Sequence, residues 1–195
     1  MSYDETLQEI ELFMGNLPSR SARGGSPIFL GIDPGATGAV SFLHPSNNSK
    51  SIAVDIPTLK VKTKKKGKVS YRTHADLAAI WGLFKSFKRA FGELHVTIEQ
   101  QQPMPRDTAL TAFSVGKNFA MWPLFFYSHG VSHDTIRPVA WKKQMGLIRK
   151  DKEAARLKAQ QMFPGASLKR KKDHNRAESL LIAECGRIRS MTNGG

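Results

Sequence analysis

Apolar and polar positions divide this chain into short segments of two periods. Residues 28–33, 37–43 and 50–56 are rich in Ile, Val and Phe, with a glycine-containing turn between the first two, and predict three strands in an antiparallel meander. From His74 to Phe91 the residues Leu77, Ile80, Trp81, Phe84, Phe87 and Phe91 fall at helical spacing, which predicts a helix over that sheet. HVTIEQ (residues 95–100) alternates as a strand, with Val96 and Ile98 on one face and Thr97 and Glu99 on the other. Residues 107–128 then predict a helix, 133–137 a last strand, and 138–146 and 151–163 two further helices. A closing helix over 174–189 carries Ala177, Leu180, Leu181 and Ile188 on one side. This order describes an α/β domain, a mixed five-stranded sheet of a three-strand meander plus parallel strands, flanked by helices.

Two stretches fall outside the pattern. KVKTKKKGKVSYR (residues 60–72) is densely charged and interrupted by glycine, and predicts a mobile basic loop. Residues 2–16 predict a short amphipathic helix through Leu7, Ile10, Leu12 and Phe13, followed by a flexible linker, PSRSARGGSP (residues 18–27). Residues 1–26 are therefore expected to form an extension, 27–190 the globular domain and 191–195 a disordered tail.

Charge narrows the partners. Thirty Lys and Arg against sixteen Asp and Glu give a formal net charge of +14, which favours a polyanion, nucleic acid first. No apolar stretch approaches the ~20 residues that span a bilayer, and the basic segments lack the apolar face of an interfacial helix. A membrane partner is not expected. Cys185 is the single cysteine, which excludes an intrachain disulfide and a cysteine-rich zinc site and suits a reducing interior. Asp4, Glu5, Glu9 and Glu11 make the start acidic, unlike a secretory or transit peptide, so a soluble intracellular location is expected.

The acids are sparse and sit at the ends of elements. In FLGIDPGATGAV, Asp33 ends the first strand; Glu99 ends the fourth; KRKKDHNRAESLLIAECGR (residues 169–187) brings Asp173 and Glu178 to the start of the last helix. If the first and fourth strands are neighbours, these carboxylates meet at one sheet edge. Carboxylate oxygens are hard donors suited to Mg²⁺ or Mn²⁺, and two such ions ~4 Å apart can hold the attacking water and the leaving oxygen of a phosphodiester. An Asp before Pro-Gly is also a common turn former. The conjunction of acids in a basic chain favours the metal site. Residues five apart on a helix are rotated by roughly 140° net, so Asp173 must lie at or before the N-cap to join Glu178. His174 and Asn175 share the face of Glu178, and either can replace or assist Asp173.

GIDPGATGAV, TIEQQQP, WKKQMGL with KDKEAARLKAQQMFP, and LKRKKDHNRAESLLIAECG occur in that order. Over residues 28–189 the chain thereby resembles the RuvC-type Holliday junction resolvases, and its KRKKDH ending resembles most the chloroplast branch with its phage and bacterial relatives. The resemblance implies a ribonuclease H-like fold and a two-fold symmetric homodimer. It also implies nicking of two opposed strands at a four-way DNA junction, dependent on Mg²⁺ or Mn²⁺ and on no organic cofactor. By motif, Asp33, Glu99 and Glu178 become metal ligands with Asp173 as the fourth; bacterial members carry an acid or His where this chain has Asn175. Lys142 or Lys143, together with Lys152, match the lysines that hold the scissile phosphate.

Family members also insert a side chain into the opened junction just after the second acid, an aromatic three residues on in bacteria. That position here is Gln102, and Gln101 and Gln102 suit hydrogen bonding to a base edge. Lys64, Lys65, Lys66, Lys68, Arg72, Lys143, Lys169, Arg170, Lys171 and Lys172 are expected to grip duplex arms through phosphates. Met104, Phe113, Phe119, Met121, Trp122, Phe125 and Phe126 exceed what one buried helix face needs, so some are expected at the dimer interface. A bacterial or phage-infected cytoplasm is the expected setting, with the chloroplast stroma or nucleoid as the alternative. Two other functions share these features: a ribonuclease H-like enzyme cutting the RNA of a hybrid, and a non-catalytic binder using the basic surface alone.

Overall fold

Strand β1 owes its position to being apolar on both sides: Ile28, Leu30 and Ile32 enter one core and Phe29 the other. The computed structural model describes residues 3–17, 19, 22, 27–35, 37–65 and 67–193. In chain order the elements are α1 (Tyr3–Gly15), β1 (Ile28–Asp33), β2 (Ala39–Phe42), β3 (Ile52–Asp55), β4 (Thr58–Lys65), β5 (Lys68–Ala75) and α2 (Leu77–Phe91). They continue as β6 (Leu94–Glu99), α3 (Ala109–Ser128), β7 (His133–Ile136), α4 (Pro138–Gln144), α5 (Lys152–Met162) and α6 (His174–Asn193).

The expected five-stranded mixed sheet is present, in the order β3-β2-β1-β6-β7. β1, β2 and β3 form the antiparallel meander, while β1–β6 and β6–β7 are parallel. One sheet face packs with Ile10 and Phe13 of α1, Ile80 and Phe84 of α2, and Trp122 and Phe126 of α3. The other packs with Trp141, Ala155, Ala159 and the Leu180–Ala183 run of α6. Asp76, Thr108 and Asp151 cap α2, α3 and α5 by accepting from Ala79, Thr111 and Ala154.

The approach of α6 to the sheet depends on two glycines. A Cβ on Gly31 would lie 2.0 Å from the Ser179 carbonyl oxygen and 2.6 Å from the Ala183 nitrogen. A Cβ on Gly186 would lie 2.0 Å from Thr97 Oγ1. Gly31 is two residues before Asp33 and Thr97 two before Glu99, so both acids share the strand face that α6 covers.

The expected mobile loop at 60–72 is corrected. Residues 58–65 and 68–75 pair in register from Thr58↔Ala75 to Lys65↔Lys68 as a two-stranded antiparallel ribbon. Gly67, at φ 75°, supplies the left-handed backbone its tight turn requires. The β-branched and aromatic residues Val61, Thr63, Val69, Tyr71 and Thr73 favour strand despite the charge. Lys66 lies outside the described residues, as do the side chains of Lys65, Phe87 and Phe91 and most of the 18–27 linker.

Two boundaries and one side chain also differ. Helix α1 is docked, with Phe13 6.0 Å from the Phe42 ring and His44 Nε2 3.1 Å from the Asn16 carbonyl oxygen, so the core draws on residues before 27. Leu12, expected on its apolar stripe, is exposed. Helix α6 runs to Asn193, into the stretch expected as a tail.

Candidate active site

Two adjacent parallel strands deliver two acids to one edge. β1 and β6 are in register through Ile32↔Ile98, so the next residue on each, Asp33 and Glu99, emerges at the same carboxyl end of the sheet. Crevices beyond the carboxyl ends of parallel strands are where open α/β sheets bind ligands. Helix α6, held close by Gly31 and Gly186, brings Glu178 over the same edge. Asp33, Glu99 and Glu178 line one cleft of about 520 Å³, together with Gln101, Gln102, Lys142, Lys152, His174 and Asn175.

The three carboxylates are buried. Burial, then repulsion from Glu99 and Glu178, pushes the Asp33 carboxyl up to about 7, against the opposing pull of the Gly35 N–H and the Lys152 charge. Burial also raises Glu99, and repulsion from Glu178 adds to it, outweighing the Trp141 hydrogen bond and the Lys142 and Lys152 charges. Among the described residues, no group of three or more His, Cys, Asp or Glu side chains is arranged to hold a metal ion. The donor chemistry nevertheless fits hard divalent cations: three oxygen-bearing acids, buried together and mutually repelling, under-compensated by two lysines.

Trp141 is a residue that sequence reasoning missed. It is fully buried, and its Nε1–H donates to Glu99 Oε1 at 2.8 Å. Lys142, next in the chain, sits with Nζ 5.2 Å from the indole centroid. Between the two lysines matched by motif, the cleft takes Lys142; Lys143 is exposed and does not line it. Gln101 Nε2 lies 3.5 Å from Asp33 Oδ1, so this glutamine sits beside the acid as well as at the cleft wall. Asn175 donates its amide to the Thr37 carbonyl oxygen at 2.6 Å, tying the start of α6 to the turn after β1.

Asp173, expected as the fourth ligand, does not line this cleft. It ends a short 3-10 turn (Lys171–Asp173) and is buried against Arg170, whose Nη2 and Nε donate to Oδ1 at 2.7 and 3.0 Å. The Arg170 backbone N–H donates to Oδ2 at 2.8 Å. Burial pushes this carboxyl up, but the Arg170 bonds and the Arg170 and Arg176 charges outweigh it and hold Asp173 below the usual carboxylate range. Local capping has taken both oxygens. Arg170, expected on DNA, is correspondingly engaged in that cap, while Lys169, Lys171 and Lys172 are exposed, as are Lys64, Lys68 and Arg72 on the ribbon.

No protein-family model matches the chain, and no curated protein does. Solved structures do. The chain is similar to Thermus thermophilus RuvC, with a TM-score of 0.51 and 18% identity over 85% of this chain and 96% of that one. It is also similar to T. thermophilus RuvC in complex with a Holliday junction substrate, at TM-score 0.52 and 16% identity over 85% and 96% of the two chains. The fold is therefore the ribonuclease H-like one expected from the motifs.

Proposed function

We propose that this protein is a structure-specific DNA endonuclease that resolves four-way junctions by paired, metal-dependent nicks. One observation carries the reading: acids 66 and 79 residues apart in the chain, Asp33, Glu99 and Glu178, line a single cleft with Lys142 and Lys152 in a strongly basic protein. The similar T. thermophilus protein in complex with a Holliday junction supports the substrate class.

Asp33, Glu99 and Glu178 would hold two Mg²⁺ or Mn²⁺ ions, with His174 and Asn175 beside them. Bound there, such ions supply water activation and neutralise charge on the departing 3′ oxygen. The chain's own groups do the rest. Trp141 orients Glu99, Lys142 and Lys152 attract the scissile phosphate, and Gln101 and Gln102 lie where an unstacked base edge would be met.

A two-fold dimer matches a two-fold junction. Of the apolar residues expected to exceed the core, Trp122, Phe125 and Phe126 are buried and Phe113 is exposed, on an opposite stripe of α3 that it shares with Leu110, Leu124 and Tyr127. That stripe is our choice for the homodimer contact. The described residues contain no helix long and apolar enough to cross a membrane. On the resemblance of the KRKKDH ending to the chloroplast branch and its phage and bacterial relatives, the cytoplasm or the stroma is the setting we favour.

The test is a synthetic mobile four-way junction incubated with the protein in Mg²⁺ or EDTA and resolved on a denaturing gel. Symmetric paired nicks only with metal are expected. Cleavage of a linear RNA/DNA hybrid in preference to the junction, or binding without any nick in Mg²⁺, would overturn the proposal.

A further inference from the structure

The β4–β5 ribbon has two chemically different faces. Directly opposed residues of an antiparallel pair share a face, and faces alternate along each strand. The register therefore puts Thr58, Lys60, Lys62 and Lys64 on one face with Thr73, Tyr71 and Val69 opposite the three lysines. The other face carries Leu59, Val61 and Thr63 opposite His74, Arg72 and Ser70, with Lys65 opposite Lys68 next to the turn. Residues 58–75 contain no acid, so neither row has a counterion within the ribbon. Three lysines in line, ~6.8 Å from one to the next, repel one another without compensation unless an anion comes from outside.

The lysine face also points somewhere. A cavity of about 440 Å³ at the root of the ribbon is lined by Thr58 and Thr73, both on the lysine face, and by Arg170 and Lys172. This cavity shares Thr37, His174 and Asn175 with the acidic cleft, so the two adjoin. Its two acids are already matched: Asp55 accepts from Arg176 Nε at 2.7 Å and Asp173 from Arg170. Lys172 is left to face the cavity.

We infer that a duplex DNA arm leaves the cleft across this cavity and lies along the Lys60–Lys62–Lys64 face of the ribbon, held through its phosphates, with the opposite face of the ribbon off the nucleic acid. The inference rests on the proposed DNA function and adds the path of the arm. The phosphate repeat supplies the missing counterions, and Tyr71 between the lysines offers a hydroxyl donor to the same backbone.

The test removes equal charge from the two faces. Lys62→Thr/Lys64→Thr and Lys68→Thr/Arg72→Thr are compared in the Asp33→Asn background, which prevents cleavage, with Thr chosen to keep strand preference. Binding of a four-way junction and of a linear duplex is followed by fluorescence anisotropy from 50 to 300 mM salt, with melting curves to verify folding. The lysine-face pair is expected to lose roughly tenfold in affinity and to reduce the salt slope by nearly two. The opposite pair is expected to change affinity less than about twofold. Equal losses from both pairs, or a larger loss from Lys68/Arg72, would overturn the inference while leaving the nuclease reading intact. Absence of DNA binding by the parent protein would overturn both.

Discussion

The indole N–H of Trp141 donates to Glu99 Oε1 at 2.8 Å, joining α4 to the end of β6 where neither residue is accessible enough for water to replace the bond. A neutral donor fixes the plane of this carboxylate without cancelling its charge. Groups that orient a metal-binding side chain in this way typically contribute 10–100-fold in metal affinity or activity. Trp141→Phe keeps the ring packing and removes only the donor. Junction cleavage should fall roughly tenfold, with the Mg²⁺ concentration for half-maximal rate shifted upward. A loss of stability with an unchanged Mg²⁺ midpoint would assign Trp141 to packing alone.

Asp33→Asn should abolish cleavage, leave junction binding in place, and stabilise the metal-free protein. The folded state holds Asp33 at about 7 against an ordinary 3.8, so it disfavours the ionised form. Stability is thus lost as pH rises from about 4 through about 7, and removing the charge restores it. In EDTA at pH 8 the variant should melt roughly 5 °C higher, with a smaller gain at pH 5. A lower melting temperature at pH 8 would show that the acid cluster is not strained.

Asp173→Asn and Glu178→Gln should differ sharply. Glu178→Gln removes a cleft acid and should reduce cleavage by ~10³-fold or more. Asp173→Asn disturbs a buried cap outside the cleft and should cost about 1–3 kcal/mol of stability with a much smaller effect on rate. Because Asp173 is held below its ordinary range, its contribution is present above pH ~4 and lost as pH falls below that. Comparable loss of cleavage in both variants would return Asp173 to the metal site.

Gly31→Ala should destabilise by about 3 kcal/mol or more, since the added carbon meets the α6 backbone, which cannot rotate away. Gly82→Ala, in α2 with open space around the new carbon, should instead gain up to ~1 kcal/mol. Urea titrations of the two variants provide the comparison, and equal effects would show that α6 is free to shift.

Phe113→Asp/Leu124→Asp places two charges on the exposed stripe of α3. Sedimentation should show a dimer in the parent protein and a monomer in this variant. A dimer that survives would move the interface off α3.

Much of this architecture can be read along the chain because burial and period coincide there. Ile28, Leu30 and Ile32 announce β1, and the Pro34–Gly35 turn marks where Asp33 leaves the sheet. The ribbon was legible in principle: Val61, Thr63, Val69, Tyr71 and Thr73 alternate around Gly67, but the density of lysine obscured a period of two. The fate of Asp173 was not legible, since capping by Arg170 and ligation of a cation ask for the same residue at the same place. Trp141 and Glu99 are 42 residues apart and meet only after α4 packs beneath the sheet edge. The choice of Lys142 over Lys143 follows from which of two neighbours the α4 turn aims into the cleft.

Glu178 belongs to the last helix, and that has a consequence for the order in which the protein is made. A nascent chain acquires Asp33 early and Glu99 midway, yet it holds no complete acid set until α6 has been synthesised and has settled against Gly31. On the proposed function, copies that stop before α6 lack the acid set that cleavage requires. On the same reading, competence to cut a junction arrives only once α6 has docked, so the helix that closes the second core also completes the site.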